Sequence, residues 1–179
     1  SDGFHSWSID EVEQFEEHHP IGSRARLAFA LLLYTGQRRS DVVLFGRQHV
    51  RDGWISFTQV KGRTTKPVTL SIPILPPLQT IIDATPRMVG ATAMTFVLTE
   101  YGRAFTAAGF GNKMRQWCDE AGLPQCASHG LRKAFGARAA ELDLTAKQIM
   151  AILGHSTLEE AERYTRAADQ KKLAAAGMA

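Results

Sequence analysis

The hydrophobic and polar positions change their period twice along the chain, from helical to alternating and back to helical. Ser8-Ile-Asp-Glu11 has the S-x-x-E spelling of a capping box, with Trp7 just before the cap, and predicts a helix over about 9–18 that stops near Pro20. Residues 22–35, GSRARLAFALLLYT, are apolar on most sides, as a buried central helix requires. Gly36 ends that run, and SDVVLF opens a short further helix at Ser40. WISFTQV (54–60) and PVTLSI (67–72) then alternate and are rich in β-branched and aromatic residues. They read as an antiparallel hairpin whose loop, KGRTTK, is basic and mobile. Pro73, Pro76 and Pro77 close it, a short helix over about 77–84 follows, and MTFVL (94–98) is either a third short strand or a buried turn. From residue 104 the helical period returns in FTAAGFGNKMRQWCDEAG, SHGLRKAFGARAAEL, TAKQIMAIL and STLEEAERYT. The final AADQKKLAAAGMA is rich in alanine and shows no long helix pattern. The predicted fold is mainly α with a small antiparallel β-sheet.

At 179 residues, 44% hydrophobic and 22% charged, the chain suits one globular domain with a sizeable core. No apolar run approaches a membrane span, and the N-terminus lacks the regions of a signal peptide. Cys118 and Cys126 form no CxxC pair and read as reduced thiols of a cytoplasmic protein, not as a disulfide or zinc framework. The net charge of +3 understates the basic character of most of the chain, because Asp10, Glu11, Glu13, Glu16 and Glu17 crowd the first helix. A polyanionic partner is implied only if the remaining basic clusters converge on one surface.

Several short stretches carry candidate chemistry. His129 and Arg132, three apart on a predicted helix, can address one ligand together, although a plain helix start with a capping Ser128 would look the same. Thr35-Gly-Gln-Arg38-Arg-Ser-Asp41 lies where a buried helix stops and another starts, a place where an arginine can hold a phosphate bidentately. Its alternative is a simple salt bridge between Arg38 and Asp41. Lys61 opens the hairpin loop and can protonate a leaving alkoxide if the loop meets a substrate; Lys66 is the runner-up. In LGHSTLEEAERYT, Gly154-His155 precedes a helix capped by Ser156 or Thr157, and Tyr164 follows His155 by nine residues. Tyr164 shares a face with Leu158 and Ala161 and is either a core anchor or a nucleophile. There is no HExxH, GxSxG, paired-carboxylate or Walker pattern. The groups that are present suit metal-free transesterification of a phosphodiester, with no cofactor and no metal expected.

In order and local spelling, TGQRRSD, SHGLRK and LGHSTLEEAERYT, with Lys61 at the hairpin, resemble the catalytic domain of the tyrosine recombinase (phage integrase) family. The resemblance covers residues from about 8 to 166. It implies the family's fold and its cleavage and rejoining of DNA through a 3′-phosphotyrosyl link, in a protein of phage or other mobile-element origin. Tyr164 is then the nucleophile, Arg38 and Arg132 clamp the phosphate, and His129 assists the tyrosine. His155 hydrogen-bonds the phosphate, Lys61 protonates the leaving 5′-oxygen, and Asp41 supports Arg38. Arg39 departs from the family pattern and competes with Arg38 for the first arginine position. The implied partners are double-stranded attachment-site DNA and further copies of the chain, a tetramer on DNA and a monomer when free. Residues 1–7 are then a linker or tag remnant, 8–166 an isolated catalytic domain, and 167–179 a tail exchanged between protomers. A type IB topoisomerase uses the same cleavage step and remains an alternative, as does a non-catalytic DNA-binding protein with this fold.

Overall fold

The computed structural model describes residues 4–155 and 158–179, so the expected cap at Ser156 or Thr157 and the first residues of the linker lie outside the described residues. The first helix, α1 (Ile9–His18), starts on the expected capping box. The Ser8 hydroxyl accepts from the Glu11 N–H at 3.2 Å, and the Glu11 carboxylate accepts from the Ser8 N–H at 2.8 Å. Phe15 on α1 stacks on Phe29 of α2 (Arg24–Thr35), ring centroids 4.5 Å apart, with Trp7 against both. Trp7 therefore belongs to the core and not to a linker, and its indole donates to the Ala127 carbonyl at 2.8 Å. α2 is buried through Leu27, Ala28, Phe29, Ala30, Leu31 and Leu32, which is why its sequence is apolar on nearly every side.

A short α3 (Arg39–Val42) and a 3-10 turn (Arg47–His49) lead into β1 (Val50–Arg51), β2 (Trp54–Thr58) and β3 (Thr69–Pro73), an antiparallel sheet in the order β1-β2-β3. The register pairs Ile55 with Ile72 and Phe57 with Leu70 on the buried face. On the outer face, the hydroxyls of Ser56 and Ser71 meet at 2.8 Å and those of Thr58 and Thr69 at 2.9 Å. The third strand is β1. MTFVL instead makes a buried turn, contributing one bridge, Thr95 to Gly46, and burying Val97 and Leu98. The basic loop folds on itself: the Lys66 N–H donates to the Gly62 carbonyl at 2.8 Å, and Arg63 donates to the Thr58 carbonyl at 2.6 Å.

The remaining helices are α4 (Pro76–Ala84), α5 (Ala107–Glu120), α6 (Ser128–Glu141), α7 (Ala146–Leu153) and α8 (Leu158–Met178). Ala127, not Ser128, is the cap of α6. Two apolar clusters result. The larger joins α1, α2, α4, α5 and the sheet; the smaller holds α6, α7 and α8 together through Ala139, Ala140, Ile149, Leu153, Ala161 and Ala168. α8 runs without a break through the 166/167 boundary to Met178, which corrects the expectation that the tail lacks a long helix. Alanines with high helix propensity sustain it, and Lys172 reaches back to Asp143.

Candidate active site

α2 and α7 both end on glycines in the left-handed region, Gly36 at φ 68° and Gly154 at φ 71°, where other residues are strained. Arg132 on α6 is aimed at both ends. Its Nη1 donates to the Gly36 carbonyl at 3.0 Å and its Nη2 to the Leu153 carbonyl at 2.9 Å. The guanidinium is only 5% exposed and sits where two helix C-termini favour positive charge. Burial, reinforced by the neighbouring Arg38, lowers its pKa to about 10, so it remains cationic at neutral pH.

Behind Arg132 lies an amide network that sequence reasoning did not single out. Gln37, 1% exposed, donates to the carbonyls of Thr35 at 2.9 Å and Ile152 at 2.7 Å. Gln59, 2% exposed, donates to Gln37 Oε1 and to the Leu153 carbonyl, both at 3.0 Å. The two side chains thus join the segments that carry Arg38, Lys61 and His155. Their only sequence signal is position, each lying within two residues of a candidate cation.

Arg38 caps α3, is half-buried and lines the cleft, whereas the Arg39 guanidinium lies over Gly111 of α5. Consecutive residues at the start of a helix point in different directions, which separates the two candidates. Asp41 is buried, and burial raises its pKa against the opposing fields of Arg38, Arg132 and Arg63. Its Oδ1 accepts from the Val60 N–H at 2.8 Å, and its Oδ2 has no hydrogen-bond partner among the described residues. The alternative of a salt bridge between Arg38 and Asp41 is not formed, and the carboxylate bonds the hairpin backbone next to Lys61 instead. Lys61 lines the cleft; Lys66 is not among its lining residues.

The cleft, about 510 Å³ in volume, is lined by all six candidates: Arg38, Lys61, His129, Arg132, His155 and Tyr164. His129, on the first turn of α6, lies under the Phe4 ring at a centroid distance of 4.5 Å. Burial lowers its pKa to about 4, helped by Arg132 and Arg38. His155 is likewise lowered to about 4, by burial first and then by Arg132. Its Nδ1 is buried with no hydrogen-bond partner among the described residues. The His155 ring lies nearly parallel to that of Tyr164, 8° between planes and 6.0 Å between centroids. Tyr164 projects from α8 onto α6 at Gly136, where an added Cβ would stand 2.6 Å from the ring. Burial raises the pKa of Tyr164 against the pull of Arg132 and Arg163, so the phenol is protonated in the free protein.

Lys133, Arg163 and Lys171 add positive charge to the same cleft, and Glu141 and Glu160 add negative charge. Lys133 belongs to the SHGLRK motif, and the other four were not singled out from the sequence. Residues 160, 163, 164, 167, 168 and 171 follow the helical period along one face of α8. That signal is legible once the helix is continued past Thr165. The whole arrangement can hold a tetrahedral oxyanion between two guanidinium groups and bring a phenol, two neutral imidazoles and an ammonium to it.

Residues 8–171 match the family model described as phage integrase family. The chain is 27% identical over 173 residues to "Tyrosine recombinase XerC 2" of Ralstonia nicotianae (strain ATCC BAA-1114 / GMI1000), covering 88% of this chain and 48% of that protein. It thus spans about half the length of that relative. A crystal structure of XerA recombinase superposes with a TM-score of 0.74 at 17% identity, covering 90% of this chain and 60% of that one. A lambda integrase (75–356) dimer bound to a COC′ core site gives 0.71 at 19% identity, with 90% and 59% covered. The lambda integrase catalytic core gives 0.66 at 20% identity, with 84% of this chain and 95% of that one. The fold is thus that of these recombinase catalytic domains.

Proposed function

The chain belongs to the phage integrase family, and from that premise we propose that it is the catalytic domain of a tyrosine-type site-specific recombinase, acting on double-stranded DNA. The observation that carries this reading is the convergence of Tyr164 with Arg38 and Arg132 in one cationic cleft. The Tyr164 phenol oxygen attacks the scissile phosphorus, forming a phosphotyrosyl bond as the bond to the 5′-oxygen breaks. Arg38 and Arg132 stabilise the charge that grows on the non-bridging oxygens. The fixed carbonyl contacts of Arg132 mean that little reorganisation is needed at that step. His129, neutral at working pH, accepts or relays the phenol proton. His155 donates a hydrogen bond to the phosphate, and Lys61 delivers a proton to the leaving 5′-oxygen. Asp41 holds the hairpin end, and with it Lys61, against the segment that carries Arg38. Reversal with the 5′-hydroxyl of another strand rejoins the DNA without an external energy source. DNA assembles the tetramer in which this exchange occurs; the free chain is a monomer. The DNA-bound lambda integrase dimer supports the choice of partner.

Duplexes whose bridging 5′-oxygen is replaced by sulfur test the reading, because the released thiol religates poorly and the covalent complex accumulates. Intact mass is expected to show a protein–DNA adduct for the native chain and none for Tyr164→Phe. Transfer of the trapped strand to a second duplex distinguishes recombination from topoisomerase-like resealing. An adduct that persists in Tyr164→Phe would overturn the assignment of the nucleophile.

A further inference from the structure

Outside the cleft, His5, Glu11 and Cys126 meet where residues 4–7 cross the start of α1 and the loop before α6. His5 Nε2 lies 2.7 Å from Glu11 Oε1, and Cys126 Sγ lies 3.3 Å from Glu11 Oε2. The three potential ligand atoms are all within 4.8 Å of one another. We propose that His5, Glu11 and Cys126 form a binding site for one zinc-class divalent cation, with the fourth position open to water.

The donor set selects the metal. A thiolate, an imidazole and a carboxylate suit zinc and exclude magnesium and calcium, which take oxygen ligands. Bonds of roughly 2.0–2.3 Å to a tetrahedral zinc place the donors roughly 3.3–3.8 Å apart. The Glu11–Cys126 separation of 3.3 Å already meets that spacing. His5, with a side chain 44% exposed, has room to move back by the remaining distance.

Helix capping does not use the whole of Glu11. The Ser8 N–H occupies Oε1, while Oε2 faces the Gln125 amide and the Cys126 thiol. This carboxylate is only 14% exposed, yet the ion pairs among the described residues give it no lysine or arginine, only His5. Its desolvation is offset by the Ser8 N–H, the Gln125 amide, His5 and the Cys126 thiol, and a divalent metal would take the place of the last two as partners. On binding, the Cys126 S–H bond is broken and its proton leaves to solvent, a thiolate–metal bond forms, and the His5–Glu11 hydrogen bond gives way to two bonds to the metal. The other cluster of this kind, His18, His19 and Glu120, offers no sulfur donor and has two of its three residues exposed.

The site has a consequence for the cleft. Phe4, the neighbour of His5, covers His129, and its carbonyl accepts from Lys133 Nζ at 2.8 Å. A metal held through His5 would therefore fasten the segment that lies over His129.

The test is a cobalt(II) titration of the metal-stripped, tag-free chain, followed by displacement with zinc. One equivalent of cobalt is expected to produce a near-ultraviolet thiolate-to-metal band that zinc abolishes. Cys126→Ser should lose the band, and His5→Ala should weaken zinc binding by roughly tenfold or more. His18→Ala should leave both unchanged. The His5 side chain is exposed, so its variant keeps the test open if Cys126→Ser fails to fold. Absence of the band, or zinc binding that survives His5→Ala and Cys126→Ser but is lost in His18→Ala, would overturn the proposal.

Discussion

A phenol with a pKa near 10 is a poor nucleophile at neutral pH, and burial in this cleft makes Tyr164 a weaker acid still. In the proposed reaction, activation therefore comes with the substrate, from a phosphate held between arginines and a neutral base within reach. The position of the ring depends on Gly136, whose missing Cβ leaves room for it. In Gly136→Ala the ring has to shift, and single-turnover cleavage is expected to fall by about 10²-fold, the scale associated with a misplacement of about 1 Å. DNA affinity should be preserved, and overpacking should cost about 1–3 kcal/mol in urea unfolding. Cleavage at the native rate would mean that Tyr164 leaves this seat before it reacts. His129 and His155 also affect stability. Both titrate at about 4 in the folded chain, below the ordinary value of 6.5, so between those pH values the unfolded chain binds more protons. Their contribution is complete above about pH 6.5 and is lost as the pH falls toward 4. Urea midpoints measured across that window should decline on acidification, and less steeply in a His129→Gln/His155→Gln double variant.

At the scale of elements, the site is a junction of helix ends. Arg132 bonds the carbonyls of Gly36 and Leu153 at the ends of α2 and α7, Gln37 bonds those just before them, of Thr35 and Ile152, and Gln59 shares the Leu153 carbonyl with Arg132. Gln59→Leu leaves the Gln37 amide oxygen without its donor inside a buried network, an expected cost of about 1–3 kcal/mol. Gln37→Leu should cost a similar amount, and the double variant less than the sum, because the second change removes a group the first had orphaned. Urea unfolding of the four proteins in the cycle measures this directly. Strict additivity would show that the two amides do not act as one unit. At the other end of α8, Leu173 and Met178 are exposed and no longer pack on α6 or α7. Deleting residues 173–179 is expected to leave the melting temperature of the free chain unchanged while impairing assembly on DNA. A large loss of thermal stability would instead make these turns part of the fold.

Across the whole molecule, six cations line the cleft, Arg38, Lys61, Arg132, Lys133, Arg163 and Lys171, against Glu141 and Glu160. That concentration reconciles a modest net charge of +3 with the polyanionic partner proposed for the cleft. If all six neutralise phosphates, the slope of log affinity against log salt cannot exceed about −5 in magnitude. Fluorescence anisotropy with a labelled duplex between about 50 and 200 mM salt would give the slope. A steeper value would place further phosphate contacts outside the cleft.

Local patterns were enough for much of this. The capping box of α1, the apolar run of α2 and the alternating strands each depend on residues within a few positions of one another, and all form where the sequence puts them. Five of the six cleft candidates were legible for a related reason, since each sits in a short motif whose spacing is itself a local constraint, and Lys61 was legible as the start of the loop between two alternating strands. The nature of MTFVL, the length of α8 and the direction of the Asp41 bond were not legible. Each depends on partners far along the chain: Gly46 for Thr95, Asp143 for Lys172 and the Val60 N–H for Asp41. The buried amides show the limit most clearly. A glutamine reads as a surface residue until the fold brings the ends of α2 and α7 together, and only there do two orphaned helix carbonyls make it cheaper to bury an amide than to leave it in water.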